Sequence, residues 1–436
     1  MKYTRLILII VLSASSRGIQ AEENGGLTLV DAVRRAQEWN LDLKKRAVDL
    51  NMAREASQNL WSEFFPSISA GAGLRYSTSL ISPNTASSSP AINLSAGLSI
   101  QLNAGLPAAI ELIRLAYETN LFDYDQSRRQ LELTVTKQFY TIIAEQRNIL
   151  ILQEKYGQAE RQFQRDRIRF ENGILSELNY KLSRLSAESA KLELNRALSD
   201  WTEMAGEFQA ALGYEPKEQI RYEGDLELER LAIDSEYLIA RYLNTRPDII
   251  NSRRNLERLR LTGTRQTLNS RAPTLSLSTN WSGSIDTPFS DSLSASVNVN
   301  IPVEAWIPGT KNWQSIKSAA ADTEKAEFDL ENVKRSAETA IRALCANINN
   351  SWNSIEIARL RVEIAEGAYL MSELGFSQGT VEFLELENAR NSLSEARQQL
   401  LREEFSYKSM TLDLAAALNI DADKLSSGDN DGKTEI

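Results

Sequence analysis

Apolar and polar residues alternate one by one in four short stretches of the chain. In 67–77, Ile68, Ala70, Ala72, Leu74 and Tyr76 alternate with Ser69, Gly71, Gly73, Arg75 and Ser77. In 92–102, Ile92, Leu94, Ala96, Leu98, Ile100 and Leu102 alternate with Asn93, Ser95, Gly97, Ser99 and Gln101. Leu275, Leu277, Thr279 and Trp281 in 274–282 repeat the pattern, as do Leu293, Ala295, Val297, Val299 and Ile301 in 292–301. Successive side chains on a strand point to opposite faces, so period two over about ten residues predicts four strands. Polar segments at 82–90 and 286–288, both containing proline, read as the loops between them.

Most of the rest follows a helical period. Ile149, Leu152, Tyr156, Ala159 and Phe163 step by three and four, as do Leu330, Val333, Ala337, Ala340 and Leu344. This is coiled-coil spacing. From Pro107 to Asn172 only Gly157 interrupts, which predicts a helix of about 65 residues and roughly 100 Å. The spacing suits a solid coiled coil. Ala319, Ala320, Ala321 and Ala326, with polar neighbours on the remaining faces, suit a hollow cylinder of helices equally, and both stay open. Gly173 and Gly379 supply the left-handed residue that ends a helix, and Ser176 and Thr380 can start the next. The antiparallel partners run to about 212 and 419. Shorter helices, roughly 27–64 and 235–271, precede the strand pairs and are stopped by Pro66 and Pro273.

The chain is written twice. Phe170-Glu171-Asn172-Gly173-Ile174 recurs as Phe376-Ser377-Gln378-Gly379-Thr380, the glycines 206 positions apart (379 − 173). At that shift Ala210-Ala211-Leu212-Gly213 falls on Ala416-Ala417-Leu418-Asn419, Leu178 on Leu384 and Phe163 on Tyr369. With one extra residue, Pro66-Ser67-Ile68-Ser69 falls on Pro273-Thr274-Leu275-Ser276. A fixed period of self-similarity marks a repeated structural unit. The expected organisation is a first repeat at 22–213, a linker at 214–234, a second repeat at 235–420 and a disordered tail at 421–436. Residues 1–21 read as a signal peptide, with Lys2 and Arg5 before the apolar run Leu6 to Leu12 and Ala21 before the cut.

The strand faces carry chemistry. One is aliphatic or aromatic; the other is Ser, Asn, Gly, Gln, Thr or Arg with almost no charge, where a soluble sheet more often shows Lys and Glu. Such strands suit a water-filled lumen on one side and lipid on the other, although a soluble sheet capping a helical stalk has the same period. Four strands cannot close a barrel, and lipid tolerates no open edge. A membrane reading therefore demands assembly: two chains give eight strands, three give twelve. An eight-stranded barrel is filled by its own side chains, so transport favours three. The expected fold class is mainly α, with a membrane β-barrel contribution from two-strand hairpins among long coiled-coil helices.

Composition narrows the function. The 436 residues are 42% hydrophobic, and no run approaches the ~20 apolar residues of a spanning helix. Removal of 1–21, with Lys2, Arg5 and Arg17, takes the formal charge from −10 to −13. That charge opposes sequence-independent binding of nucleic acid. Cys345 is the single cysteine, so the chain has no intrachain disulfide and no lipid-anchoring cysteine after the leader. With no histidine, imidazole triads and His metal sites are excluded. Neither a metal nor a cofactor is expected, and no carboxylate pair stands apart from the charged helix surfaces.

The leader, Phe65-Pro66-Ser67-Ile68, Arg246-Pro247-Asp248-Ile249 and the paired Phe-x-x-Gly turns together resemble the TolC-type outer-membrane efflux family over about 27–420. The resemblance implies a homotrimer with one shared 12-stranded barrel in outer-membrane lipid and a long periplasmic α-helical barrel. It also implies an equatorial region around 214–234, and passive conduction of cargo from an inner-membrane transporter and a periplasmic adaptor. The family's acidic entrance ring maps onto Glu385. Its second acidic position is Asn388 and its basic latch is Val381, both departures; Glu382 and Glu387 lie close by. By the same resemblance, Phe170, Gly173, Leu178, Phe376, Gly379 and Phe383 mark tips that meet the adaptor. Two other readings compete: an exported periplasmic coiled-coil protein without a pore, and a carboxylate enzyme.

Overall fold

A computed structural model describes residues 26–75, 91–215, 220–226, 228–285, 290–421 and 425. The expected leader, both strand-connecting loops and most of the 421–436 tail lie outside the described residues. Two very long helices dominate: α3 (Leu106–Glu171) and α7 (Lys311–Gln378). Pro107 in the first turn of α3 has the fixed φ a helix start needs, and Thr310 caps α7 by accepting from the Trp313 N–H at 3.4 Å. Each long helix turns back into an antiparallel partner, α4 (Glu177–Ala211) and α8 (Phe383–Leu418). Contacts between α3 and α8 join the two hairpins, so the helices lie side by side as α4–α3–α8–α7.

The helices ahead of the strand pairs are broken, contrary to the continuous helices expected over 27–64 and 235–271. The first is α1 (Leu29–Trp39), α2 (Leu41–Gln58) and a 3-10 turn at Leu60–Phe64. Asn40 makes the break. Its backbone is extended (φ −62°, ψ 122°), its N–H bonds to Ala36 O to close α1, and its side chain accepts from the Leu43 N–H at 2.9 Å to open α2. In the second copy, α5 (Ser235–Tyr242) and the turn Leu243–Thr245 precede α6 (Pro247–Arg271). There Pro247 forces extended backbone on Arg246 and ends the first segment.

The four strands, β1 (Ser67–Arg75), β2 (Ala91–Leu102), β3 (Thr274–Ile285) and β4 (Ser290–Asn300), form one antiparallel sheet in sequence order. The register pairs like with like: Ala70 faces Ala96, Ile100 faces Leu277, Leu277 faces Val297, Ser278 faces Ser296. A slip of one residue would turn every apolar side chain to the polar face.

Two buried cores sit at mid-height and repeat the 206-residue offset. Phe139, Ile142, Phe208 and Leu212 fill one; Cys345, Ile348, Leu414 and Leu418 stand in the same places in the other. The segment between the repeats crosses both hairpins. Tyr222 is buried in the first core, where its hydroxyl accepts from Gln209 at 3.1 Å. Tyr407 of α8 donates to Glu229 O at 2.8 Å and accepts from the Leu231 N–H at 3.0 Å. Burial raises the Cys345 thiol above its ordinary pKa, which keeps it protonated and inert.

Candidate functional site: sheet faces and hairpin tips

The sheet has two chemically distinct faces and two free edges. Ile68, Leu74, Leu293, Val297 and Val299 stand exposed on one face. The other carries a ladder of hydroxyls, with Ser67–Ser99 at 2.6 Å, Ser278–Ser296 at 2.7 Å and Ser282–Ser292 at 2.9 Å. Serines that bond one another across strands satisfy their own polarity and leave a neutral, hydrated wall. At the helix end of the sheet, Trp61 packs edge-on against Phe65 at 5.2 Å, and Trp306 lies exposed. Aromatic residues at such a level form the girdle of a membrane β-barrel. Within one chain β1 and β4 each lack an outer partner, so the sheet is incomplete in lipid.

At the far end, both hairpins turn on a glycine in the left-handed region, Gly173 (φ +72°) and Gly379 (φ +79°). The Ile174 N–H bonds to Arg169 O at 2.8 Å and the Thr380 N–H to Gly375 O at 2.9 Å, closing both helices in the Schellman pattern. Ser176 begins α4 as expected, accepting from the Asn179 N–H at 3.3 Å. Thr380 does not begin α8. Its hydroxyl donates backward to Gly375 O at 3.1 Å, and Glu382 takes the capping position without a side-chain bond.

The residues named for the tips divide into packed and exposed sets. Phe170 stacks on Tyr180 at 4.7 Å, and Phe376 meets the buried Phe383 edge-on at 6.0 Å. Leu178 and Leu384 are exposed at equivalent places, and Ile174 beside Gly173 is more exposed than either. Ile174 was not singled out from the sequence, although its place directly after the turn glycine was visible. Between the ends of α3 and α7 lies a groove of about 620 Å3, lined by Arg165, Ile168, Arg169, Leu370, Glu373 and Leu374 among others.

The five positions that the resemblance assigns to a gate are close in sequence and differ in environment. Glu385 and Asn388 are exposed on the first turns of α8, and so is the capping Glu382. Val381 lies against Gly375, where a Cβ would meet its Cγ2. Glu387 accepts from Ser186 Oγ of α4 at 2.8 Å and makes a close ion pair with Arg390, whose residue is only 3% exposed. Burial lowers the Arg390 pKa, which Tyr369 and Glu373 partly offset. Higher up, Arg397 of α8 ties Glu154 of α3 at 2.5 Å and Glu366 of α7. These contacts stitch one hairpin to the other.

Asp166 of α3 is 0% exposed, facing α4. One carboxylate oxygen accepts from Gln162 Nε2 at 2.9 Å; the other has no hydrogen-bond partner. Burial raises its pKa, opposed by the Gln162 hydrogen bond, the nearby Ser183 hydroxyl and the charges of Arg169 and Arg165. The folded tip therefore holds the proton more tightly than the unfolded chain does. The contribution of Asp166 to stability is fully present below the ordinary carboxylate pKa of about 4 and is lost as pH rises through the raised value. Hydrogen exchange over residues 160–185, corrected for intrinsic rates, should show protection falling with rising pH. Asp166→Asn should flatten that slope; an unchanged slope would exclude Asp166 as its source.

Both flanks of the helical layer are apolar. Leu178, Leu185 and Leu192, seven residues apart, are exposed on α4, and Ile357, Ile364 and Met371, also seven apart, are exposed on α7. Among the described residues no cluster of His, Cys, Asp or Glu could hold a metal ion, and no helix is long and apolar enough to cross a membrane.

Residues 32–214 and 238–419 match the outer membrane efflux protein family, one match for each repeat. The chain is 23% identical over 450 residues to the outer membrane protein TolC of Salmonella enteritidis, covering 96% of this chain and 87% of that one. Its fold is similar to that of the Campylobacter jejuni CmeC outer membrane channel, with a TM-score of 0.75 at 16% identity over 94% of this chain and 93% of that one. The open-state Neisseria gonorrhoeae MtrE outer membrane channel gives a TM-score of 0.72 at 16% identity, covering 90% and 89%.

Proposed function

This chain belongs to the outer membrane efflux protein family, and on that premise we propose that three copies form the outer-membrane duct of a tripartite export system. It is a TolC-type transport protein of the outer membrane and not an enzyme. The observation that carries the proposal is that the chain is unfinished on both sides at both levels. Its sheet has two free edges. Its helical layer ends in a leucine stripe on α4 and an apolar stripe on α7, each with coiled-coil spacing. A ring in which α4 of one copy meets α7 of the next covers both stripes and pairs β1 with β4. Three copies give twelve strands, wide enough for a lumen, where two give the filled eight-stranded barrel.

Cargo enters at the hairpin tips and leaves through the serine-lined barrel. A periplasmic adaptor, fed by an inner-membrane transporter, meets the tips, where Ile174, Leu178 and Leu384 offer exposed apolar contacts. Glu385 narrows and charges the entrance; three copies form an acidic ring that favours cations. Glu387 serves differently, because its carboxylate already pairs with Arg390. In planar bilayers, Glu385→Ala should lower cation preference and relieve block by divalent cations, while Glu382→Ala should change both less. Unaltered selectivity and block in Glu385→Ala would remove the ring from the proposal.

A further inference from the structure

We propose that one face of α6 is an anion-attracting stripe inside the duct, acting on solutes that carry carboxylate, phosphate or sulfonate groups. The inference rests on the ring-shaped channel proposed above.

A helix advances about 100° per residue, and α6 is held on both flanks. Toward α7, a Cβ at Gly263 would lie 3.7 Å from Ala319, and Arg260 pairs with Glu327 at 2.7 Å. Toward α3, the Arg254 guanidinium lies 4.5 Å from the Phe122 ring. A stave clasped on two sides has two free faces. One carries Arg253, Glu257 and Thr264 and ends at Arg271, whose guanidinium lies 4.9 Å from the ring of Trp306. Trp306 is an exposed aromatic at the helix end of the sheet, the level at which a barrel's aromatic girdle faces the lipid interface, and on that ground we assign this face of α6 to the outside.

The opposite face looks inward. It reads Asn251, Asn255, Arg258, Thr262, Arg265 and Asn269, in steps of four, three, four, three and four. All but Asn269 are exposed, and none is apolar or acidic. Apart from Asn269, whose Oδ1 accepts from the Gly105 N–H at 3.2 Å beside the start of α3, the stripe lacks the apolar residues that a seam between helices needs at this spacing. Arg258 donates to Asn255 Oδ1 at 2.8 Å, and neither it nor Arg265 has an acidic partner among the described residues. Within a chain of formal charge −10, two guanidinium groups without carboxylates are notable local charges. Their forked donors match the planar geometry of oxyanions. Three copies place six of them between the acidic entrance and the neutral barrel.

The test uses the whole purified protein in planar bilayers under a tenfold gradient of dilute KCl, with Glu385→Ala as parent so that the entrance does not mask the upper duct. Replacing both arginines (Arg258→Gln with Arg265→Gln) should lower the chloride-to-potassium permeability ratio about twofold or more, because fixed charges act over a Debye length of ~10 Å at 0.1 M. Arg253→Gln, on the outward face, should leave the ratio unchanged. Glutamine at exposed polar positions spares the fold, which retention of the assembled oligomer on electrophoresis confirms. A conducting parent whose ratio survives the double replacement overturns the inference, as does an equal fall with Arg253→Gln. A parent that does not conduct removes the channel reading itself, and this inference with it.

Discussion

Val297→Arg is expected to keep the chain out of the outer membrane, whereas Ser296→Arg, one residue away, is expected to be tolerated. Val297 lies mid-strand in β4 opposite Leu277, on the exposed apolar face. Ser296 faces the other way and bonds Ser278 at 2.7 Å. An arginine on the lipid side of a barrel near its midplane costs about 2–4 kcal/mol, so three copies cost roughly 6–12 kcal/mol per assembly. On the lumen side the same guanidinium reaches water. Membrane fractionation and the yield of assembled oligomer read the difference. Equal recovery of both variants would mean that the faces are assigned wrongly, or that the sheet is not in lipid.

Arg390→Met should destabilise the helix bundle near the hairpin tips and loosen the link between its hairpins. Arg390 is almost fully buried and Glu387 is half-buried beside it, so removing the cation leaves a carboxylate without its partner. Losses of this kind run to about 3–5 kcal/mol for a fully buried pair; access of water to Glu387 makes the lower end the better guide. Combining Arg390→Met with Glu387→Gln should recover much of the loss, since the stranded charge is then gone. Thermal unfolding of the single and double variants measures the coupling. A double variant no more stable than Arg390→Met alone would show that packing, not charge, holds this site.

The parts legible in the sequence are those where one physical demand acts on many residues together. Lipid on one face and water on the other write period two into every strand. Helix pairing writes the three-four steps of α3 and α7, and a reversal between long helices requires a left-handed residue, hence Gly173 and Gly379. Features that depend on a single local choice were less visible. Asn40 breaks the first helix with one extended residue and one side-chain bond, which no periodicity registers. Thr380 looks like a helix start in sequence, yet its hydroxyl turns back to Gly375. Near the start of α8, the ion pair of Glu387 with Arg390 spans only three residues and lies within reach of a sequence reading. Its link to Ser186 joins residues 201 apart and needed the fold. The polar stripe of α6 was countable in sequence, but which free face looked inward depended on Phe122, Ala319 and Trp306.

The uninterrupted course of α3 has a mechanical consequence. Its 66 residues run from the sheet to the tip as one element, with Gly157 the only glycine and Pro107 the only proline. At ~1.5 Å per residue the arm is about 100 Å long, so one degree of tilt at the barrel displaces the tip by roughly 1.7 Å. A helix without a hinge works as a lever: small angular changes at its anchored end become movements on the scale of a side chain at the other. The barrel is then the fulcrum, and its stiffness sets how far the tips wander.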